Sequence, residues 1–339
     1  MNNSLMSAID SRGATLSDMG SGYLDLINEP LKVALFASSS ITIHVINKIV
    51  QEQLLVGVII AERHDPDNQQ LEIHLQQAGI PYIRDQTANP EYVLQQITRW
   101  EANAGLIFTY SHKLPASILT AFSAGLFNLH ASSLPQYRGI MPLYWQLRNN
   151  ETQGSLSIIK VEQEIDSGDI LLQRTFPRHP YDTLTSFAFT MAEFSADFVV
   201  QFFVKLQQGE LVAKPQNGEI SDAPMPTQQD LMINWNTMTG RNIVALASAG
   251  NPQFNGAMIS WHRSYIGLLQ ATVVSHSNYG MPAGSVLHVG EPEGLIIATI
   301  DGALRLDILS ITEGIFTGIT FAERFKLDAG EQFSSALLT

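Results

Sequence analysis

A chain of 339 residues exceeds one ordinary compact core, so two domains are expected. With 45% apolar and 15% charged residues the composition is globular, and the lack of cysteine excludes disulfides and thiolate chemistry. A net charge of −13, from 19 basic against 32 acidic residues with no basic run, opposes binding to a phosphate backbone and favours an enzyme of small molecules.

Residues 1–30 are rich in Ser, Gly, Asn and Asp, without the basic start and apolar centre of a signal peptide, and read as an N-terminal tail. No apolar run approaches the ~20 uninterrupted residues that a membrane span needs, so no membrane partner is expected, and the lack of cysteine makes a cytoplasmic setting the simplest reading. Residues 31–37 (LKVALFA) have a buried-strand pattern, and 41–53 follow with helical periodicity. Residues 54–61 (LLVGVIIA) predict a second strand, 69–78 a helix stopped by Gly79, and 80–83 a short strand. A helix at 91–101, a strand at 105–109, a loop at 110–115, a helix at 116–122 and a strand at 126–130 continue the alternation. Strand and helix in turn predict an α/β fold with a Rossmann-like, mostly parallel sheet. Ser38, Ser39 and Ser40 follow the first strand where a dinucleotide site would carry Gly-x-Gly-x-x-Gly, which argues against a nicotinamide cofactor.

Strands are predicted at 154–161 and 170–174, and a long helix at 183–209. Pro215, Pro224 and Pro226 mark 215–228 as a linker, which gives a first domain over 31–214 and a second over 229–339. In the second, a helix at 241–249 precedes short strands at 256–259, 268–274, 284–288, 295–299 and 304–309. Their regular spacing predicts a smaller C-terminal β-barrel or OB-like domain.

Asn128-Leu129-His130 carries two polar side chains to one face at a strand end, because residues two apart in an extended segment point the same way. The loop Ser132-Ser133-Leu134-Pro135-Gln136-Tyr137-Arg138-Gly139 leaves that strand, and Ile165-Asp166-Ser167-Gly168-Asp169 follows further on. A carboxylate near an imidazole fixes its tautomer, and an adjacent amide adds a donor for a developing oxyanion. Together they suit attack on a carbonyl without a protein nucleophile.

The segment 127–173 resembles the core of the folate-dependent N-formyltransferases, which carry an Asn-x-His pair, a Ser-Leu-Leu-Pro-x-x-Arg-Gly loop and a Leu-Asp-x-Gly turn in this order. The resemblance extends more diffusely over about residues 31–335, with Ile233-Asn234-Trp235 and Gly250-Asn251-Pro252 as markers of the longer members' small β-domain. It implies formyl transfer from 10-formyltetrahydrofolate to a primary amine, with no metal and no covalent intermediate. By matching positions, Asn128 and His130 would hold the oxyanion and Asp166, through a water, would take the amine proton. Residues 106–115 are similar to the segment whose backbone grips the pterin, which implicates Phe108, Tyr110, Leu114 and Pro115. Ser132, Leu134 and Arg138 would shape the loop beside the folate, and Glu162 and Glu164 are assigned to the same pocket. Ser133 and Ile140 depart from the family pattern, and both changes bear on donor-pocket packing rather than on the polar roles.

The acceptor expected from the sequence is a small molecule, with a nucleotide-linked amino sugar ranked first. Loop 62–68 (ERHDPDN) lacks the basic insertion of methionyl-tRNA formyltransferases, and the C-terminal region is acidic, so tRNA ranks lower. Residues 142–145 (PLYW) are similar to a run in sugar-nucleotide formyltransferases, and Tyr144 and Trp145 serve equally as an acceptor platform or as helix core. An amino acid or carrier-bound aminoacyl group is a further acceptor, and a homodimer is admitted. A non-catalytic folate-binding module is disfavoured by the intact Asn, His and Asp. A formyl-folate hydrolase is disfavoured because thirty residues before the first strand are too few for a regulatory domain.

Overall fold

The computed structural model describes residues 29–61, 65–85, 89–262 and 264–335. Residues 1–28 of the expected tail, and Glu62, Arg63 and His64 of the loop after the second strand, lie outside the described residues.

The uninterrupted apolar character of β1 (Val33–Ala37) has a simple cause: both faces of this strand are covered. Val33, Leu35 and Ala37 face one layer of the core and Ala34 and Phe36 the other. The chain continues through α1 (Ile43–Gln51), β2 (Leu55–Ala61), α2 (Pro66–Gln77), β3 (Tyr82–Asp85) and α3 (Pro90–Arg99). It then forms β4 (Ala104–Phe108), the short α4 (Ala116–Leu119), β5 (Gly125–His130), α5 (Pro142–Arg148), β6 (Gln153–Lys160) and β7 (Ile170–Pro177). These seven strands form one sheet in the order β3-β2-β1-β4-β5-β6-β7. β1 to β5 run parallel, whereas β6 pairs antiparallel with both β5 and β7. The order reverses between β1 and β4, the kind of crevice where open α/β sheets bind ligands.

α6 (Leu184–Gln207) is 24 residues long and apolar enough to cross a membrane by length and composition, with a mean hydropathy of 1.4. Glu193, Asp197 and Lys205 interrupt its apolar sequence. In this fold α6 is a core helix: Phe187, Met191, Ser195, Phe198, Phe202 and Leu206 recur at helical spacing and are buried. Phe202 meets Phe127 of β5 edge-on at 4.8 Å, which fixes the helix beneath the strand that carries the candidate site. A capping box between Thr183 and Ser186 starts the helix, and Gly209, at φ 66°, stops it.

Beyond α7 (Gln228–Leu231) and α8 (Gly240–Gly250) lies the second sheet, built of β8 (Ala257–Trp261), β9 (Ser264–Val274), β10 (Val286–Gly290), β11 (Gly294–Thr299), β12 (Gly302–Ile311) and β13 (Gly314–Thr317). Its antiparallel order is β10-β11-β12-β9-β8, with β13 added on β12. The C-terminal segment bridges Gln332 to Ser285 and Ser334 to Ser260, linking one end of the sheet to the other as a barrel requires. Trp235 and Phe333 stack inside it, and α9 (Gly318–Phe325) covers it with Phe321. The two domains meet where α5 packs against α8.

Candidate active site

Asn128 and His130 stand two apart on β5, and a turn folding back from the end of β6 brings Asp166 over them. Asp166 Oδ1 accepts a hydrogen bond from Asn128 Nδ2 at 2.9 Å, and Oδ2 accepts one from the Gly139 amide at 3.0 Å. His130 Nδ1 lies 3.5 Å from the same Oδ2. His130 and Asp166 are only 6% and 8% exposed, so these contacts operate away from bulk water.

His130 Nε2 donates to the Tyr137 carbonyl at 2.8 Å, which assigns a hydrogen to that nitrogen. With Nε2 committed, Nδ1 can donate only in the imidazolium form, and the carboxylate is what that cation would face. At 3.5 Å the contact is longer than a full N–H···O bond. Asn128 likewise spends one of its two amide hydrogens on Asp166.

The loop after β5 is held from within. Ser132 Oγ donates to the Gln136 carbonyl at 2.7 Å, and Ser157 Oγ of β6 donates to the Ser132 carbonyl at 2.6 Å. Gln173 of β7 donates to the Leu134 carbonyl at 3.2 Å, and Leu134 is buried. Tyr137 adopts a left-handed φ of 60°, which turns its carbonyl back to His130, and its hydroxyl donates to Glu151 at 2.6 Å. Gly139, at φ 119°, offers its amide to Asp166; a Cβ there would stand 3.0 Å from the Ala223 carbonyl oxygen. The turn bearing Asp166 is equally tight, for a Cβ on Gly168 would stand 1.8 Å from the Lys160 carbonyl oxygen.

Burial first, and then the hydrogen bond to Glu151, push the Tyr137 hydroxyl up to about 12 from its ordinary 10.0. The folded-state value lies above the unfolded one, so this contribution to stability is complete below pH 10 and is lost as the pH rises toward 12. Thermal scans across that interval are expected to show a falling Tm, and Tyr137→Phe should remove part of the fall.

The residues assigned to the folate pocket occupy different positions. Phe108 ends β4 with its side chain in the core, so only its backbone can meet a ligand. Tyr110 hydrogen-bonds the buried Asp85 at the end of β3, and burial together with that carboxylate holds its hydroxyl far above the ordinary tyrosine range. His112 Nδ1 lies 3.6 Å from the same carboxylate, and the Ser111 amide donates to Ser38 Oγ at 3.0 Å. Asp85 and Ser38 thus latch the 110–115 loop, in which Leu114 is half-buried and Pro115 exposed at the start of α4. Glu162 and Glu164 are exposed on the turn before Asp166. Arg138 is half-buried, and its guanidinium is held by Gln216 Oε1 at 3.1 Å from Nε and 2.7 Å from Nη2.

Of the two readings of Tyr144, the structure supports core. Its ring is 0% exposed and packs edge-on against Phe254 at 5.6 Å. Trp145 is half-buried, and its indole N–H donates to the Pro224 carbonyl at 2.8 Å. Sequence reasoning missed Gln216, Ser157, Gln173 and Asp85. Ser157 faces His130 across the β5–β6 pair, a register that a strand pattern alone does not supply. Among the described residues, no cluster of His, Asp and Glu could hold a metal ion.

Comparison with known proteins adds the chemistry. The family described as "Formyl transferase" matches residues 31–203, and "Formyl transferase, C-terminal domain" matches residues 226–322. The chain is 30% identical over 270 residues to the methionyl-tRNA formyltransferase of Nitrosomonas europaea, covering 78% of this chain and 82% of that one. It is 27% identical over 258 residues to the same enzyme of Thermodesulfovibrio yellowstonii, covering 75% and 80%. Among solved structures it shares its fold with a sugar 3N-formyl transferase crystallised with dTDP and 5-N-formyl-THF, at a TM-score of 0.61, 16% identity and coverage of 82% and 97%. HypX from Aquifex aeolicus, in complex with tetrahydrofolic acid, gives a TM-score of 0.60 at 16% identity and covers 90% of this chain and 49% of that one.

Proposed function

The chain belongs to the formyl transferase family, and from that premise we propose that it moves a formyl group from 10-formyltetrahydrofolate to the primary amine of a small-molecule acceptor. The observation that carries this reading is the Asp166 carboxylate, gripped by Asn128 and the Gly139 amide with the His130 imidazole alongside.

In this mechanism Asn128 and His130 donate to the oxygen of the formyl group as the amine nitrogen attacks its carbon. Charge develops on that oxygen, and preorganised donors in a buried site are worth most there. Asp166, through a water, accepts the proton that the attacking amine loses. The proton is passed on to the folate nitrogen as its bond to the formyl carbon breaks, so the leaving nitrogen departs neutral and the protein forms no covalent bond. The donor is compatible with the backbone around the site. Among the described residues, the main chains of His112, Lys113 and Leu114 and of Glu162 and Gln163 make no main-chain hydrogen bonds to one another or elsewhere. These lie on two loops, one leaving β4 and the other folding back from β6 onto β5, and they leave donors and acceptors for a planar pterin. Ser132 and Leu134 keep the intervening loop rigid.

The charge balance supports a small acceptor. Residues 229–339 contain 9 acidic and 5 basic side chains, and Arg305 is already paired with Asp307. Next to the carboxylate stand Ile140, 69% exposed, and Ile165, 64% exposed, with the acidic Glu162 and Glu164 nearby. A nucleotide-linked amino sugar remains the first acceptor in this reading, in a cytoplasmic setting. Methionyl-tRNA is the second reading, favoured by the relatives at 30% and 27% identity. The test is incubation with 10-formyltetrahydrofolate and equal concentrations of methionyl-tRNA, amino-sugar nucleotides and amino acids, followed by mass spectrometry. Formylation of a small amine is expected; transfer to methionyl-tRNA alone would replace the first reading by the second.

A further inference from the structure

The segment between the domains is anchored along its length to the candidate site. Lys214 and Ile170 exchange backbone hydrogen bonds at 3.0 and 2.8 Å at the start of β7. The Arg138 amide donates to the Ser221 carbonyl at 2.8 Å, the Ala223 amide to the Arg138 carbonyl, and the Met141 amide to the Ala223 carbonyl at 2.9 Å. Both flanks of Gln216 are therefore fixed, and its side chain is delivered to one place.

There its polar capacity is fully used. Oε1 accepts from Arg138 Nε and Nη2, while Nε2 donates to the Asp166 carbonyl at 2.7 Å and to the Gly168 carbonyl at 2.8 Å. One amide thus connects the loop that supplies the Gly139 N–H to the turn that supplies the carboxylate. Asp166 itself sits at φ 55°, a left-handed conformation that a non-glycine residue keeps only when its surroundings impose it. The Asp166 and Gly168 carbonyls flank Ser167 on this turn, and both point at the same amide group.

We infer that Gln216 is a positioning residue for formyl transfer: it holds the backbone of the Asp166 turn so that the carboxylate meets Asn128, His130 and the Gly139 amide at once. This inference rests on the catalytic reading of Asp166. The hydrogen bonds of Gln216 go to Arg138 and to the backbone of the Asp166 turn, and it acts through these.

Two variants separate its bonds. Gln216→Leu keeps the approximate volume and removes every hydrogen bond, whereas Gln216→Glu keeps the acceptor for Arg138 and loses both donors to the turn. With the amine selected by the acceptor panel, Gln216→Leu is expected to lower kcat by about tenfold or more, with KM for 10-formyltetrahydrofolate changed by less than about threefold. Gln216→Glu is expected to match it, because the bonds to the turn are those that matter. Hydrogen exchange should rise in the amides of 162–169 in both variants and stay unchanged in β5 and β6. A Gln216→Leu kcat within about twofold of the parent, or a loss confined to KM, would overturn the inference. A Gln216→Glu variant as active as the parent would overturn the assignment to the Asp166 turn. The two readings fail separately: an active Asp166→Asn overturns the catalytic reading, whereas an active Gln216→Leu beside an inactive Asp166→Asn overturns the positioning role alone.

Discussion

Asp166→Asn is expected to lower kcat for formyl transfer by roughly 10²–10⁴-fold, the range typical for loss of a positioned general base. The substitution keeps the shape of the side chain and removes its ability to take a proton. It also disturbs the donors around it. In the parent, Asn128 Nδ2 and the Gly139 amide each point at a carboxylate oxygen. An Asn side chain has one carbonyl oxygen, so one of these donors would face an NH₂ group instead. Leaving a buried donor unpaired costs about 1–3 kcal/mol, so Tm should fall together with activity. Affinity for the donor should change little, because the loops proposed to hold the pterin act through their backbones. Rapid-quench single turnovers would report the chemical step, and titration with 5-formyltetrahydrofolate would report binding.

Gly168→Ala is expected to be nearly as damaging to activity, for a steric reason. A Cβ at this position would lie 1.8 Å from the carbonyl oxygen of Lys160, an atom of the β6 backbone and not the end of a flexible side chain. The turn must therefore shift, and Asp166, two residues earlier, shifts with it. Forcing a methyl into a filled site costs roughly 1–3 kcal/mol. A displacement of the carboxylate by about 1 Å is enough to reduce turnover about a hundredfold. The two substitutions should differ in one respect: Gly168→Ala should loosen hydrogen exchange across the whole 161–169 turn, whereas Asp166→Asn should act mainly at Gly139 and Asn128.

The parallel part of the sheet was legible because strands covered by helices on both sides are apolar on both faces, as VALFA and LVGVIIA are. α5 was legible only as one of two readings of Tyr144 and Trp145, because PLYWQLR is too short to show helical periodicity and buries the polar Gln146 beside Leu143, Tyr144 and Leu147. α9 and β13 lie in a region dense in short strands, where the Thr317 cap that starts the helix is easily read as part of a β pattern. In the site, Asn128 and His130 could be singled out because residue type and spacing carried the signal, whereas Asp166 was chosen over Asp169 by the resemblance to the formyltransferases; the structure brings the three side chains together. Gln216 could not. It lies in a proline-bearing stretch without periodicity, and what places it is a set of backbone hydrogen bonds to Arg138 and Ile170 that no local pattern encodes. The same holds for Asp85 and Ser38, which latch the 110–115 loop across contacts distant in sequence.

The most direct test uses 10-formyltetrahydrofolate labelled isotopically in the formyl group, with the amine acceptor chosen by the panel, and follows the label by mass spectrometry in parent and Asp166→Asn protein. The expected result is label on the amine nitrogen of the acceptor in the parent reaction, none on the protein at any time, and only a trace of product with Asp166→Asn. Label retained covalently on the protein, or transfer by Asp166→Asn at the parent rate, would contradict direct transfer promoted by this carboxylate.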